Sequence, residues 1–463
     1  MKTLKHLLNP ARIAVIGATE TRDRVGRIIF ECLMKSGLEL FPVHPEADKI
    51  FGYRVFHSVE ELPDNIDMAV ITIAAEKAVF SAEKCGKKGI PCVIVVAGGF
   101  GEAGPEGKRL EELLKDVPGK YNTRILGPNS LGIFLPEEGI DTIFVEHGDK
   151  ALADGGGVAC IVQSGSVGVE APGYASNTGF GMRAFVGLGN KCDLNEIDFL
   201  RYFGKDKKTA CIAFYLENIE NGRDFLEEAK RVTKEKPVVV LKAGRTSSGA
   251  MAVSSHTGKL AGSDNVVSGA FRQYGIQRVF DDEELCDASK TLSMLPPAPG
   301  NRVAVLTPAG GYGVMCTDYI EKRGVSFPLR MAKLSDKTKA IIREKTFKFA
   351  SCSNPVDITA SADDRMFAAA LDALIEDEGV DIVICISFFA PPGITDLLEK
   401  LISERVKKSP KPVIVFSQYG PFTDRHLRAF HDAGVVGFPS IFRTVRAARF
   451  LVERAEIVSR IER

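Results

Sequence analysis

One histidine, His256, stands among small polar residues and glycines in the segment GAMAVSSHTGKLAGSDN, residues 249–265. Small neighbours leave an imidazole free to move and to be approached by a bulky phosphoryl donor, whereas a packed helix-face histidine is ordinarily set among branched or aromatic side chains. A nucleophilic histidine needs one ring nitrogen free and the other held by an acceptor. The acceptor fixes the attacking tautomer and stabilises positive charge as a phosphoramidate forms. Glu217, at the end of the apolar run ACIAFYLE, is a reasonable acceptor. The residue types equally allow a surface or structural histidine and a glutamate that merely ends a strand.

The segment QSGSVGVEA, residues 163–171, supplies the phosphate side of such chemistry. A strand ends there in Ser164, Gly165 and Ser166 and a helix follows, so free backbone N–H groups and two hydroxyls point at an anion. Plain helix capping would use the same residues. The pattern is not G-x-S-x-G, which disfavours an esterase elbow. Asn129 in GPNS, and Gly187 and Gly189 in GLGN beside Lys191 and Asp193, are candidates for an acyl or phosphate site and equally for structural turns.

A further glycine turn, Gly17-Ala18-Thr19 with Gly26 at the base of the next helix, lacks the full G-x-G-x-x-G pattern. The second strand ends FPVHPEAD, with proline and histidine where a dinucleotide site places the acid that takes the ribose hydroxyls. NAD binding and a dehydrogenase are thereby disfavoured, while a nucleotide in a different ribose environment stays open. The seven histidines show no metal-ligand spacing, so no metal site is expected, and no Walker A loop is present.

Each of these segments follows a short apolar run, and the runs fall into three series. IAVIGA (13–18), LFPVHP (40–45), MAVITI (68–73) and CVIVVAGG (92–99) lead to RILGPNSLGIF (124–134), which is expected to close the first. VACIVQSG (158–165), RAFVGLG (183–189), ACIAFYLE (210–217) and PVVVLKAG (237–244) form the second, ended by the break LPPAPGN (295–301). RVAVLTPAGG (302–311), DIVICIS (381–387) and PVIVFSQYG (412–420) form the third, with a helix expected from Ser440 onward. Strands buried on both faces are continuously apolar, the mark of parallel sheets with crossover helices. An α/β chain of three domains is therefore expected, over residues 1–145, 146–295 and 301–463. In such sheets ligands gather at the carboxyl ends of strands, where the glycine turns stand.

Composition narrows the function classes. Lys+Arg and Asp+Glu balance at 60 each in 463 residues, which argues against nucleic acid or an acidic surface as partner. Ten cysteines without a C-x-x-C pair, several inside apolar runs, suit a reducing compartment. The opening MKTLKHLLNPARIAVIG has too short an apolar stretch before Asn9 and Pro10 for a signal peptide, and no run approaches a membrane span. A cytoplasmic location is expected.

In order along the chain, AVIGAT with VGRIIF, VHPEAD, AGGFGEAG, GPNSLGI, QSGSVG, GLGNKCDLNEIDFL, YLENIE, SSHTGKLAG and SNPVDIT resemble the alpha subunit of ADP-forming acetate-CoA ligases. That family is related to succinyl-CoA synthetase and common in archaea, and the resemblance runs from Leu7 to the C-terminus. GPNS and GNKCD depart from the commoner GPNC and GNKAD but keep small side chains.

The resemblance implies a Rossmann-like CoA-binding domain followed by two flavodoxin-like domains of the succinyl-CoA synthetase type. It makes His256 the phosphorylated residue, Glu217 the group that steadies it, and Ser164, Gly165 and Ser166 the phosphate-binding helix start. Coenzyme A contacts are implied at Gly17, Ala18, Thr19, Val25, Gly26, Val43, Pro45, Ala97, Gly98, Gly99 and Phe100. The implied partner is an ATP-grasp beta subunit, in an alpha2beta2 complex, which binds ADP or ATP and magnesium. The implied reaction converts acyl-CoA, ADP and phosphate to a carboxylic acid, with acetate first in line, ATP and CoA. The rival is a CoA-binding scaffold or sensor without catalysis.

Overall fold

The computed structural model describes residues 2–145, 155–168, 179–257, 263–417 and 424–462, with the side chains of 2–3, 254–257 and 462 outside that description. Two compact units are present: Met1–Ser176 with Gly181–Leu285, and Asn177–Phe180 with Cys286–Arg463.

In the first unit a helix, Lys2–Leu8, precedes β1 (Arg12–Ile16), β2 (Glu39–Val43), a small antiparallel pair β3 (Lys49–Ile50) and β4 (Tyr53–Arg54), then β5 (Met68–Ile71), β6 (Cys92–Val95) and β7 (Arg124–Leu126). The parallel sheet runs β2-β1-β5-β6-β7. Alternate residues of one strand enter different cores. Ile13, Val15, Met68 and Val70 pack with Ile29, Phe30 and Leu33 of the helix Val25–Met34. Ala14, Ile16, Ala69 and Ile71 pack with Ala78 and Ala82 of the helix Ala75–Lys87 and with Leu110 and Leu114 of Pro105–Tyr121. Both faces are covered, which is why these strands carry no polar alternation. The chain reverses its winding between β1 and β5, and a crevice opens outside the carboxyl ends at such a point.

The second sheet, also in the first unit, comprises β8 (Gly132–Leu135), β9 (Ile140–Asp141), β10 (Gly155–Val162), β11 (Met182–Gly187), β12 (Cys211–Leu216), β13 (Val238–Lys242) and β14 (Gln277–Val279). Its order is β14-β13-β12-β10-β11-β8-β9, parallel except where β8 meets β11 and β9. The run RILGPNSLGIF is therefore divided: its first residues close the first sheet as β7, and its last ones cross to the second as β8, which corrects its assignment to the first series alone. One apolar cluster joins Ile13 and Val15 of the first sheet to Ile161, Val186 and Phe214 of the second, so the two sheets form one compact unit.

In the other unit β15 (Arg302–Thr307), β16 (Arg330–Met331), β17 (Val356–Asp357), β18 (Ile382–Ser387), β19 (Val413–Ser417) and β20 (Gly437–Phe438) form a parallel sheet of order β16-β15-β18-β19-β20, with β17 beside β15. The helix Ile441–Glu462 ends the chain. No helix among the described residues is long and apolar enough to cross a membrane.

Candidate functional site

The crevice between β1 and β5 depends on two glycines. Gly17 has φ +92°, and a Cβ there would lie 2.5 Å from Ile73 Cγ2. At Gly26 a Cβ would lie 2.0 Å from the Gly17 carbonyl oxygen, so only glycine lets the helix Val25–Met34 start against the turn. That helix has no side-chain cap, and its first N–H groups stay available to an anion. A cavity of about 750 Å³ follows, with Arg24, His57, Lys77 and Lys84 in its wall and Asp23 the one acidic side chain there among the described residues.

Of the residues the resemblance implies as coenzyme A contacts, Gly17, Thr19, Val25, Gly26, Val43 and Pro45 line this crevice. Ala18 is fully buried beneath it. Ala97, Gly98, Gly99 and Phe100 follow β6, two strands further along the sheet from β1, and the Phe100 ring is wholly in the core. Strand spacing places that loop about 10 Å along the carboxyl edge.

At the far end of the edge lies a smaller cavity of about 280 Å³. Its wall combines residues after β6, β7, β10, β11 and β12: Val96, Asn129, Ser164 to Ser166, Gly189 with Asn190, and Glu217. Sequence positions as far apart as Val96 and Glu217 thus converge because each follows a strand of one or other sheet. Gly187 stays inside β11, its carbonyl accepting from the Ser130 hydroxyl at 2.6 Å, and is not in the wall. A helical turn opens at Gly165, with Gly168 N–H donating to Ser164 O at 3.0 Å and the Ser164 and Ser166 hydroxyls 3.1 Å apart. Residue 256 lies in the helix Ser247–Thr257, but its imidazole falls outside the described side chains.

Glu217 is 5% exposed, and its backbone is held from three sides. Gln163 Oε1 accepts from the N–H groups of Glu217 (2.9 Å) and Asn218 (3.1 Å), while its Nε2 donates to Asn218 Oδ1 at 2.5 Å. Lys242 Nζ donates to Glu217 O at 2.7 Å, and Lys191 Nζ to Asn218 O at 2.9 Å. Lys191 is fully buried against Glu196 at 2.9 Å; burial pulls its ammonium below the ordinary lysine value, against the pull of Glu196. The neighbouring Tyr215 phenol, 3.5 Å from Glu217 Oε1, is pushed up to about 12 by burial and then by the Glu217 charge, which keeps it a proton donor.

Three further residues of the wall, Glu102, Glu111 and Asn190, carried no signal in residue type alone. Asn190 Nδ2 donates to Glu102 Oε2 (2.7 Å) and Glu111 Oε2 (2.8 Å), and Asn129 Nδ2 reaches Asn190 Oδ1 at 3.4 Å. Glu102 Oε1 accepts from Gly99 N–H (2.6 Å) and Phe100 N–H (3.2 Å). Burial raises the Glu102 pKa, yet the Asn190 amide and these N–H groups outweigh it and hold the carboxyl below the usual range. In AGGFGEAG, Glu102 stands three residues after Gly99, a spacing that becomes informative only once the loop after β6 turns that N–H toward the carboxylate.

In the second unit Asp396, Glu399 and His426 bring their ligand atoms within 4.8 Å, a grouping that the absence of metal-ligand spacing did not anticipate because 27 residues separate Glu399 from His426. His426 Nδ1 is hydrogen-bonded to Glu399, its ring stacks on Phe389 at 3.7 Å, and Asp396 stands 3.9 Å away.

Residues 155–292 match the family model of the succinyl-CoA ligase like flavodoxin domain and residues 11–136 that of a CoA binding domain. Subunit alpha of acetate–CoA ligase [ADP-forming] I from Pyrococcus furiosus is 35% identical over 96% of both chains. The chain belongs to the alpha-subunit family of the ADP-forming acyl-CoA ligases. The CoA binding match spans the first sheet, and the succinyl-CoA ligase like match spans β10 to β14 of the second. Acetyl-coenzyme A synthetase 1 of Ca. Korarchaeum cryptofilum, solved with phosphate and ADP, superposes with a TM-score of 0.91 at 33% identity, covering 100% of this chain and 99% of that one. The 4-hydroxybutyrate–CoA ligase [ADP-forming] of Nitrosopumilus maritimus is 35% identical over 88% of this chain and 58% of its own length.

Proposed function

We propose that this chain binds coenzyme A in the β1/β5 crevice and exchanges phosphate for the thiol at the smaller cavity. Inorganic phosphate, held by the N–H groups and hydroxyls of Ser164 to Ser166, attacks the thioester carbonyl; the C–S bond breaks and CoA leaves with the proton. His256 then displaces the carboxylate from the acyl phosphate, forming an N–P bond, and Glu217 takes the opposite ring N–H and offsets the positive charge. Transfer from His256 to ADP completes the reaction on an ATP-grasp partner that carries the nucleotide and magnesium, in an alpha2beta2 assembly in the cytoplasm.

The observation that carries this reading is the meeting of Ser164 to Ser166, Asn129, Gly189 and Glu217, from four strand ends, in one cavity. Its volume of about 280 Å³ falls at the bottom of the range for small-molecule sites and suits a small acid such as acetate. The test is ATP formation from acetyl-CoA, ADP and phosphate by the chain assembled with its partner. Turnover is expected, with loss in Ser164→Val and Ser166→Val together; acetyl-CoA binding without ATP formation in any assembly would leave the non-catalytic scaffold as the better description.

A further inference from the structure

The attack on the thioester fixes where the acyl group lies. Its carbonyl carbon must stand at the phosphate cradle of Ser164 to Ser166, so the rest of the acyl chain extends into what remains of the cavity. The remaining wall combines apolar Val96, Leu131 and Phe144 with the polar groups of Asn129, Asn190, Glu102 and Glu111. Among the described residues of this wall the charged side chains are Glu102, Glu111 and Glu217, all carboxylates, and no lysine or arginine is among them.

Glu102 differs from Glu111 in where it is fixed. Glu111 is buried, taking the Gly101 N–H at 3.0 Å. Glu102 is open to solvent at the rim and fills the Gly99 and Phe100 N–H pair, while Asn190 holds its second oxygen. Two adjacent N–H groups at a strand end would otherwise suit the far carboxylate of a dicarboxylic acyl chain. Glutamate both occupies those donors and presents its own charge to any such chain.

We infer that Glu102 is the specificity residue of the acyl site: it admits uncharged acyl groups and rejects acyl groups that carry a second carboxylate. The inference rests on the acyl-CoA reading above. Specificity by repulsion needs only a disfavoured alternative, and like charges brought together at a binding site supply it.

The test compares succinyl-CoA with butyryl-CoA, equal in chain length and different in charge, by titration calorimetry on the full chain. Wild type is expected to bind butyryl-CoA the more tightly. In Glu102→Gln and Glu102→Ala the ratio of succinyl-CoA to butyryl-CoA affinity is expected to rise by roughly fivefold or more, and in Glu102→Asp, which keeps the charge, to stay within about twofold of wild type. Thermal melts verify that each variant is folded, and the aspartate and alanine forms give independent readings if the glutamine form is not. An unchanged ratio in the neutral variants, or an equal rise in Glu102→Asp, overturns the inference. Failure of wild type to bind butyryl-CoA at all would instead count against the acyl-CoA reading.

Discussion

A carboxylate that orients a catalytic imidazole is useful only if it cannot drift, and the Glu217 backbone is fixed by Gln163 and Lys242. Replacing Glu217 by Gln removes the charge that offsets an imidazolium, and a fall of about a hundredfold in the phosphorylation rate is expected from rapid-quench measurements. Gln163→Leu leaves two buried N–H groups and the Asn218 amide without their present partner; urea denaturation should show a loss of about 1–3 kcal/mol. Ser164 to Ser166 and Glu217 were legible in the sequence because small polar residues and acids at the ends of apolar runs are unusual. Gln163, Lys191 and Lys242 were not singled out, since their role is to bind carbonyl and amide groups of a corner that only the folded backbone creates. The interplay of Glu102 with Asn190 was equally hidden, because 88 residues separate them.

At the scale of elements, the helix Val25–Met34 can begin where it does because residue 26 has no side chain. Gly26→Ala should push it off the Gly17 turn, costing about 1–3 kcal/mol in a thermal melt and weakening coenzyme A binding in calorimetry. The strands themselves were easy to find, since β5, β6 and β13 are apolar at nearly every position and sit between helices on both faces. The destination of β8 was not. GIFL follows β7 after five residues and resembles another strand of the same series, yet it pairs antiparallel with β11, whose sequence lies some 50 residues on. Local pattern fixes a strand's burial and leaves its neighbour to long-range packing.

For the whole molecule, two compact units with separate apolar clusters are expected to unfold in two steps, resolved by scanning calorimetry. The step that unfolds the unit Cys286–Arg463 should carry its own pH dependence. Lys290 is wholly buried, 2.8 Å from His431 Nε2, and burial pulls its pKa from 10.5 to about 7, with Asp287 opposing and Arg443 assisting. An unfolded lysine keeps its proton to about pH 10.4, so between pH 7 and that value the unfolded state binds more protons and stability rises with pH. His431, lowered to about 3 by burial and by Lys290, adds only a small rise near pH 7, because its unfolded imidazole has lost nearly all its protons above that point. Denaturation from pH 7 to 9.5 should show the rise in wild type and a flatter profile in Lys290→Met. The central claim concerns the first unit, and it is tested most directly by supplying acetyl-CoA and labelled phosphate, without ADP, to the chain assembled with its ATP-grasp partner and locating the label by mass spectrometry. Acid-labile phosphate on His256, absent from His256→Ala, is the expected result; the same label persisting in that variant, or wild type that stays unlabelled, would contradict it.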